Sequence, residues 1–313
     1  MNTKILSVGN LSTEEISYTE AVQLLHSGEV VAFPTETVYG LGAIATNEKA
    51  VAKIFEAKGR PQDNPLIVHI GSKDEISDFI SHIPEKAQLC MDAFWPGPLT
   101  LILPLKETVL ASNVSAGLDT VGVRMPNHPV ALKLLRELKL PVAAPSANRS
   151  GKPSPTKARH VHKDLNGRIP AIIDGGATGM GLESTVLDCT SEIPTILRPG
   201  GVTKEMLEQV IGKVNETKLV DKSEAPRAPG MKYAHYAPNA PVYLIEASVQ
   251  SIQEAIASIH KEDKKVALIA TDQLKVVDAN YYFSLGNNEQ VKEAAHLLYE
   301  LSLIHISEPT RRR

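Results

Sequence analysis

Apolar positions along the chain fall into two alternating textures. In EAVQLLHSG, NEKAVAKIFEAK, PEKAQLCMDAFW, HPVALKLLRELK and TKEMLEQVIG they recur three or four residues apart, the spacing of amphipathic helices. Between these lie short apolar runs bounded by Gly and Pro: EVVAFPT, LIVHI, TLILPL, TVGVRMP, PVAAPSA, AIIDGG, STVLDC and TILRPG. Runs of this kind predict strands. The alternation predicts an α/β fold, with antiparallel pairs where two strands follow one another without a helix.

The texture changes after residue 212. KVNETKLVDKSEAPRAPGMKYAHYAPNAP is rich in Pro, Ala and charge and has no period, so 213–240 reads as a linker. PVYLIEA, SVQSIQEAIASIHKEDKK and KVALIAT then predict a strand–helix–strand unit, the start of a smaller α/β domain over 241–313. A helix, EQVKEAAHLLYE, follows. The tail from about residue 301, LSLIHISEPTRRR, cannot complete a sheet and reads as truncated or foreign, leaving about 70 residues for a core, few for stability.

Composition narrows the function classes. The 313 residues are 42% hydrophobic and 22% charged, as in ordinary globular domains. A net charge of -3 argues against a generally basic nucleic-acid binder. The polar start MNTKILSVGNLSTEE predicts no signal peptide, no run reaches the roughly 18 apolar residues of a membrane span, and a cytoplasmic protein is expected. Cys90 and Cys189 form no CxxC, so neither a zinc site nor a structural metal is expected, and both thiols read as inert.

Chemistry collects at the ends of the strands. PTETVYGLG offers Thr35, Thr37 and Tyr39 with Gly40 and Gly42, and reads as a polar strand-to-helix loop or a ligand loop. In AKGRPQDNP, Gly59 reads as a helix C-cap, yet it also sets Lys58 and Arg60 to converge on an anion, with Asn64 and His69 beyond. Arg124 ends an apolar strand, where burial demands an anionic partner. APSANRSGKPSPT reads either as a flexible surface loop or as a ligand loop at a strand's carboxyl end. DGGATGMGLESTVLD is glycine-rich but matches neither the P-loop nor G-x-G-x-x-G. Arg198 stands at another strand end. Lys58, Arg60, Arg124 and Arg198 with their neighbouring hydroxyls outline a polyanion pocket.

Lys58-Gly59-Arg60 with Ser146-Ala147-Asn148 resembles the KxR…SxN signature of the YrdC/Sua family. PTETVYGLG, NPLIVH, FWPGPLT, VGVRMP, APSAN and STVLD stand at matching places, and PGMKYAHYAP resembles the linker of the two-domain members. The resemblance implies a catalytic domain over 1–212 built on an open, twisted mixed sheet with flanking helices. It also implies a small Rossmann-like Sua domain, here cut short. The implied activity is L-threonylcarbamoyladenylate synthesis from L-threonine, bicarbonate (or CO2) and ATP, with Mg2+ accompanying the ATP and pyrophosphate leaving. The product feeds threonylcarbamoyladenosine formation in tRNA, which implies the downstream transferase machinery as partner and tRNA itself as a candidate, and no membrane. Carried over residue by residue, Lys58, Arg60, Ser146 and Asn148 hold the phosphates and align the attack. Asn64, Thr120, Ser154 and Arg198 place the nucleotide, and Tyr236 closes over it as a lid. Thr37, His69, Arg124, Ser184 and the backbone at Ala144 hold threonine.

Two rivals stand beside this expectation. Similar domains occur in hydrogenase-maturation carbamoyltransferases, but this chain shows no acylphosphatase-like or zinc-finger segment. A non-catalytic RNA-binding module would use the basic stretch RSGKPSPTKARHVHK, 149–163.

Overall fold

The computed structural model describes residues 2–9, 14–107, 109–217, 241–246, 248–276 and 278–287. The chain divides into two compact units, Met1–Ala237 and Pro238–Arg313.

In the first unit the strands are β1 (Lys4–Ser7), β2 (Val31–Phe33), β3 (Gly40–Ile44), β4 (Ile67–His69), β5 (Leu99–Pro104), β6 (Thr120–Arg124), β7 (Val142–Ala143), β8 (Ala171–Asp174), β9 (Thr185–Asp188), β10 (Thr195–Arg198) and β11 (Asn215–Glu216). The helices are α1 (Glu14–His26), α2 (Glu48–Lys58), α3 (Ile76–Phe79), α4 (Glu85–Phe94), α5 (Ser112–Ser115), α6 (Pro129–Leu138), α7 (Ala158–Leu165) and α8 (Lys204–Ile211). The strands form one mixed sheet in the order β1-β8-β2-β3-β7-β4-β6-β5-β9-β10-β11. The expected antiparallel pairing of consecutive strands is seen in β9 with β10.

Side chains alternate across this sheet, and both faces are covered. Val31, Phe33, Val142 and Ile173 pack with Tyr18, Leu25 and Leu134 of α1 and α6. Ala32, Leu41, Ala43 and Ile172 face the opposite layer with Ile54, Phe55 and Met91 of α2 and α4. Burial on both faces is why these strands read as continuous apolar runs rather than as alternating ones.

Three stretches depart from the sequence reading. GLGAI is not a loop leading to a helix: it is β3, antiparallel to β2. Thr35 makes the turn between them, its Oγ1 accepting from the Thr37 and Val38 amides. A side chain at Gly42 would put Cβ 2.7 Å from the Phe33 ring and 2.8 Å from Val142 Cγ1, so only glycine lets β3 sit there. Residues 213–217, read as the linker's start, include β11, paired with β10. The basic stretch 149–163 contains the start of α7, which buries Ala158, Val161 and Leu165.

The second unit contains α9 (Val249–His260) and the parallel pair β12 (Ala267–Ala270) and β13 (Tyr281–Ser284). Ile252 and Ile256 of α9 pack on Leu268, Ala270 and Val276. The strand expected in PVYLIEA is not formed: 241–246 is irregular, with Val242 and Leu244 exposed. Apolar residues suffice for a strand only where a ladder partner and a buried face are available. The helix EQVKEAAHLLYE, the tail from 301 and most of the expected linker, Tyr236 included, lie outside the described residues. Among the described residues no helix is long and apolar enough to cross a membrane.

Candidate active site

Beside the neighbouring strands β3, β7, β4 and β6 lies a cleft lined by Thr37, Arg60, His69, Arg124, Ala144, Ser146, Ser184 and Arg198 among others. Its open volume, including the mouth, is about 600 Å3. Strand register orders it. β4 and β6 run parallel, with His69 opposite Arg124. Their carboxyl ends therefore carry His69 and Arg124 to one end of the cleft. The loop before β4, with Arg60 and Asn64, and the segment after β7, with Ser146, meet at the other.

Helix α2 sets up the second end. Asn47 caps its start, accepting from the Ala50 amide at 3.1 Å. Gly59 ends it in the left-handed conformation, with its amide to Glu56 O and the Arg60 amide to Phe55 O. These two bonds make a Schellman motif. The reading of Gly59 as a cap therefore holds, and the same turn sends Lys58 and Arg60 in different directions. Arg60 lines the cleft, its Nη2 donating to Pro65 O at 3.1 Å. Lys58 is buried beneath it, where the sequence reading set it against phosphate. Its ammonium donates to the Ser146 carbonyl, to the Asn148 carbonyl at 2.6 Å and to Asn148 Oδ1 at 3.4 Å. Burial, then the neighbouring Arg60 charge, holds the Lys58 pKa well below the usual lysine value.

Asn148 completes this knot. Its Oδ1 accepts from Ser146 Oγ at 2.6 Å, and its Nδ2 donates to the carbonyls of Arg149 at 2.8 Å and Lys152 at 2.6 Å. Lys152 Nζ in turn reaches Asp164 at 2.7 Å. Of the two readings of this loop, the flexible one does not hold: these bonds tie it down at both ends. Lys58 and Asn148 shape the backbone that presents Ser146, and Ser146 lines the cleft.

The remaining nucleotide-side expectations are spread around this end. Asn64 is buried. Ser154 is buried, donating to Glu183 Oε1 at 2.6 Å, and it is Glu183 that lines the cleft. Thr120 opens β6 on the side of Pro65, outside the cleft lining, because Gly122 is the residue paired with Ile67. Arg198 donates through Nε and Nη2 to Ser184 O at 3.1 and 2.9 Å, and Ser184 Oγ shares a hydrogen bond of 2.8 Å with Thr100.

At the other end Arg124 is 4% exposed. Its Nε donates to Gly97 O at 3.2 Å and its Nη1 to Thr37 Oγ1 at 2.9 Å, while Nη2 stands 2.5 Å from Glu36 Oε1. This is the anionic partner that burial of Arg124 demanded, and the sequence reading missed it. The signal was a carboxylate between two threonines just after a strand. His69 packs edge-on to Phe33, with ring centroids 6.3 Å apart. Burial, reinforced by the Arg124 charge, lowers its pKa to about 3, so its imidazole is neutral at pH 7. Among the described residues no group of three or more His, Cys, Asp or Glu could hold a metal ion.

The Sua5/YciO/YrdC family model, described as telomere recombination, matches residues 23–200. A second model, described as the threonylcarbamoyl-AMP synthase C-terminal domain, matches 202–302. A threonylcarbamoyl-AMP synthase from Bacillus subtilis (strain 168) is 54% identical over 292 residues, 93% of this chain and 84% of that protein. One from Pyrococcus abyssi (strain GE5 / Orsay) is 49% identical over 293 residues, 92% of this chain and 84% of that protein. The crystal structure of P. abyssi Sua5 complexed with L-threonine matches with a TM-score of 0.91 at 47% identity, covering 98% of this chain and 90% of that one. The catalytic-domain match alone spans more than half of the residues, and the chain belongs to the Sua5/YciO/YrdC family.

Proposed function

We propose that this protein is an L-threonylcarbamoyladenylate synthase, joining L-threonine, bicarbonate or CO2, and ATP, with release of pyrophosphate. The observation that carries the reading is 54% identity over 93% of the chain to a threonylcarbamoyl-AMP synthase. The product supplies threonylcarbamoyladenosine formation in tRNA, which sets the chain in the cytoplasm beside a tRNA threonylcarbamoyl transferase. A non-catalytic RNA-binding role is not favoured.

The cleft suits the chemistry. Adenylation requires that a carboxylate oxygen and the α-phosphorus be held in line and their charge screened, with little proton transfer at phosphorus. Arg60, Ser146 and Arg198 are the groups proposed to take the phosphates, with Asn64, Thr120 and Ser154 behind them. Lys58 and Asn148 would act by fixing the Ser146 backbone. Thr37, His69, Arg124, Ala144 and Ser184 would take threonine. Mg2+ commonly uses one or two carboxylates plus substrate phosphates, and Glu183 is a carboxylate on the cleft wall suited to that donor set. Bound there, the ion would supply charge neutralisation on the phosphates.

The test is pyrophosphate release with each substrate omitted in turn. Release is expected only when ATP, L-threonine and bicarbonate are all present. Equal turnover with carbamoyl phosphate in place of threonine and bicarbonate would overturn the reading.

A further inference from the structure

Glu36 and Arg124 are close but poorly satisfied. Glu36 sits in the β2–β3 turn between Thr35 and Thr37; those two line the cleft with Arg124, and Glu36 stands behind the lining against the Arg124 guanidinium. The two side chains are only 15% and 5% exposed, and Oε1 stands 2.5 Å from Nη2. Yet among the described residues neither Glu36 oxygen nor Arg124 Nη2 has a hydrogen-bond partner, so the contact is one of charge without an aligned bond. A buried ion pair recovers its desolvation cost only when the remaining lone pairs and protons are also satisfied. Unsatisfied buried polar groups call for an explanation, and a ligand is one. Here the deficit is two-sided: the carboxylate lacks donors and the guanidinium edge lacks an acceptor.

An α-amino acid zwitterion supplies both. We propose that Glu36 is the subsite for the α-ammonium group of the amino-acid substrate, so that Glu36 and Arg124 together clamp a zwitterion. The inference rests on the proposed threonine site at Arg124 and deepens it. Entry of the substrate opens one unaligned ion pair and forms two aligned ones, and this end of the cleft keeps its net charge. The clamp selects free α-amino acids and rejects hydroxy acids, which offer the carboxylate but leave Glu36 buried without a donor.

The rival role for Glu36 is to orient Arg124 without touching substrate. Calorimetric binding of L-threonine and of 3-hydroxybutanoate, which keeps the carboxylate and hydroxyl but lacks the amine, separates the two. A hydrogen bond between charged groups supports a wild-type preference for threonine of about tenfold or more. In Glu36→Gln that preference should fall to within about threefold, through loss of threonine affinity while the analogue's affinity is kept. In Glu36→Asp, which keeps the carboxylate, the preference should persist. Equal weakening of both ligands in Glu36→Gln, or unchanged threonine binding, overturns the proposal. Should Glu36→Gln fail to fold in thermal melts, the wild type and Glu36→Asp decide: no preference in either overturns it. A wild type that binds no L-threonine at all would overturn the threonine site itself, and this inference with it.

Discussion

Replacing Lys58 by Met tests whether the first cation of the KxR pair is a phosphate ligand or the anchor of a loop. The structure predicts the anchor. Met keeps the buried stem and removes an ammonium that donates to the Ser146 and Asn148 carbonyls. Leaving a buried acceptor without its donor costs about 1–3 kcal/mol, so two carbonyls set a gross loss of roughly 2–6 kcal/mol. Relief works in the other direction, because an ammonium that is no longer buried incurs no desolvation; the same burial is what holds the Lys58 pKa below the usual lysine value. A net destabilisation of about 3 kcal/mol is a fair centre, which for a domain of this size lowers Tm by roughly 6–12 °C.

The assay pairs a thermal melt with ATP titration of pyrophosphate release. An anchor makes Tm fall and also weakens ATP, because the Ser146 loop loses its shape. Adding saturating ATP and threonine should restore part of the Tm by linkage. A pure phosphate ligand makes ATP weaken while Tm stays put. A Tm within about 2 °C of wild type, with only ATP affected, would refute the placement drawn from the buried ammonium.

Two further outcomes are expected. The folded His69 pKa of about 3 lies below the unfolded value of 6.5, so between those values the unfolded state binds more protons and stability falls as pH falls. Going from pH 7 to pH 5, denaturant melts should show the wild type losing about 2 kcal/mol more than His69→Gln, and equal losses would count against a neutral buried imidazole. Gly42→Ala drives Cβ into Phe33 and Val142, and it should cost about 1–3 kcal/mol in thermal or urea unfolding; an unchanged midpoint would show that β3 has slack there.

How far the sequence reaches depends on whether the deciding interaction is local. Helices α2 and α6 were legible because their period lies within the element, and for α2 the Gly59 cap does as well. Strand β1 was not, because KILS is too short to show a period and becomes a strand by pairing with β8, more than 160 residues on. GLGAI looked like a loop because its glycines serve close packing under Phe33, a fact of tertiary structure. The site divides in the same way. Strand-end loops rich in cations and hydroxyls could be read directly, and the residues lining the cleft are largely those. The direction of a side chain could not: Lys58 was expected at the phosphates, and the contact its ammonium makes with the 146–148 loop had no local signal. The pairing of Glu36 with Arg124 joins residues 88 positions apart, and no local pattern announces it.

The two ends of the cleft handle charge differently, and the difference matches the two proposed substrates. Arg198 is held by the carbonyl and hydroxyl oxygens of Ser184. These acceptors are neutral, so they fix the guanidinium in place without cancelling its charge. That end can therefore attract a polyanion and still hold its own geometry before the polyanion arrives. Arg124 instead faces a carboxylate, so its end is neutral as a pair. A triphosphate gains little there, because Glu36 repels it at a distance where low dielectric strengthens the repulsion. A zwitterion gains twice, once at each member of the pair. Discrimination between the two substrates thus needs no separate gate. It follows from pairing the Arg124 cation with a carboxylate at one end of a single cleft and seating Arg198 on neutral acceptors at the other, and removing Glu36 should blur it by leaving Arg124 without its carboxylate.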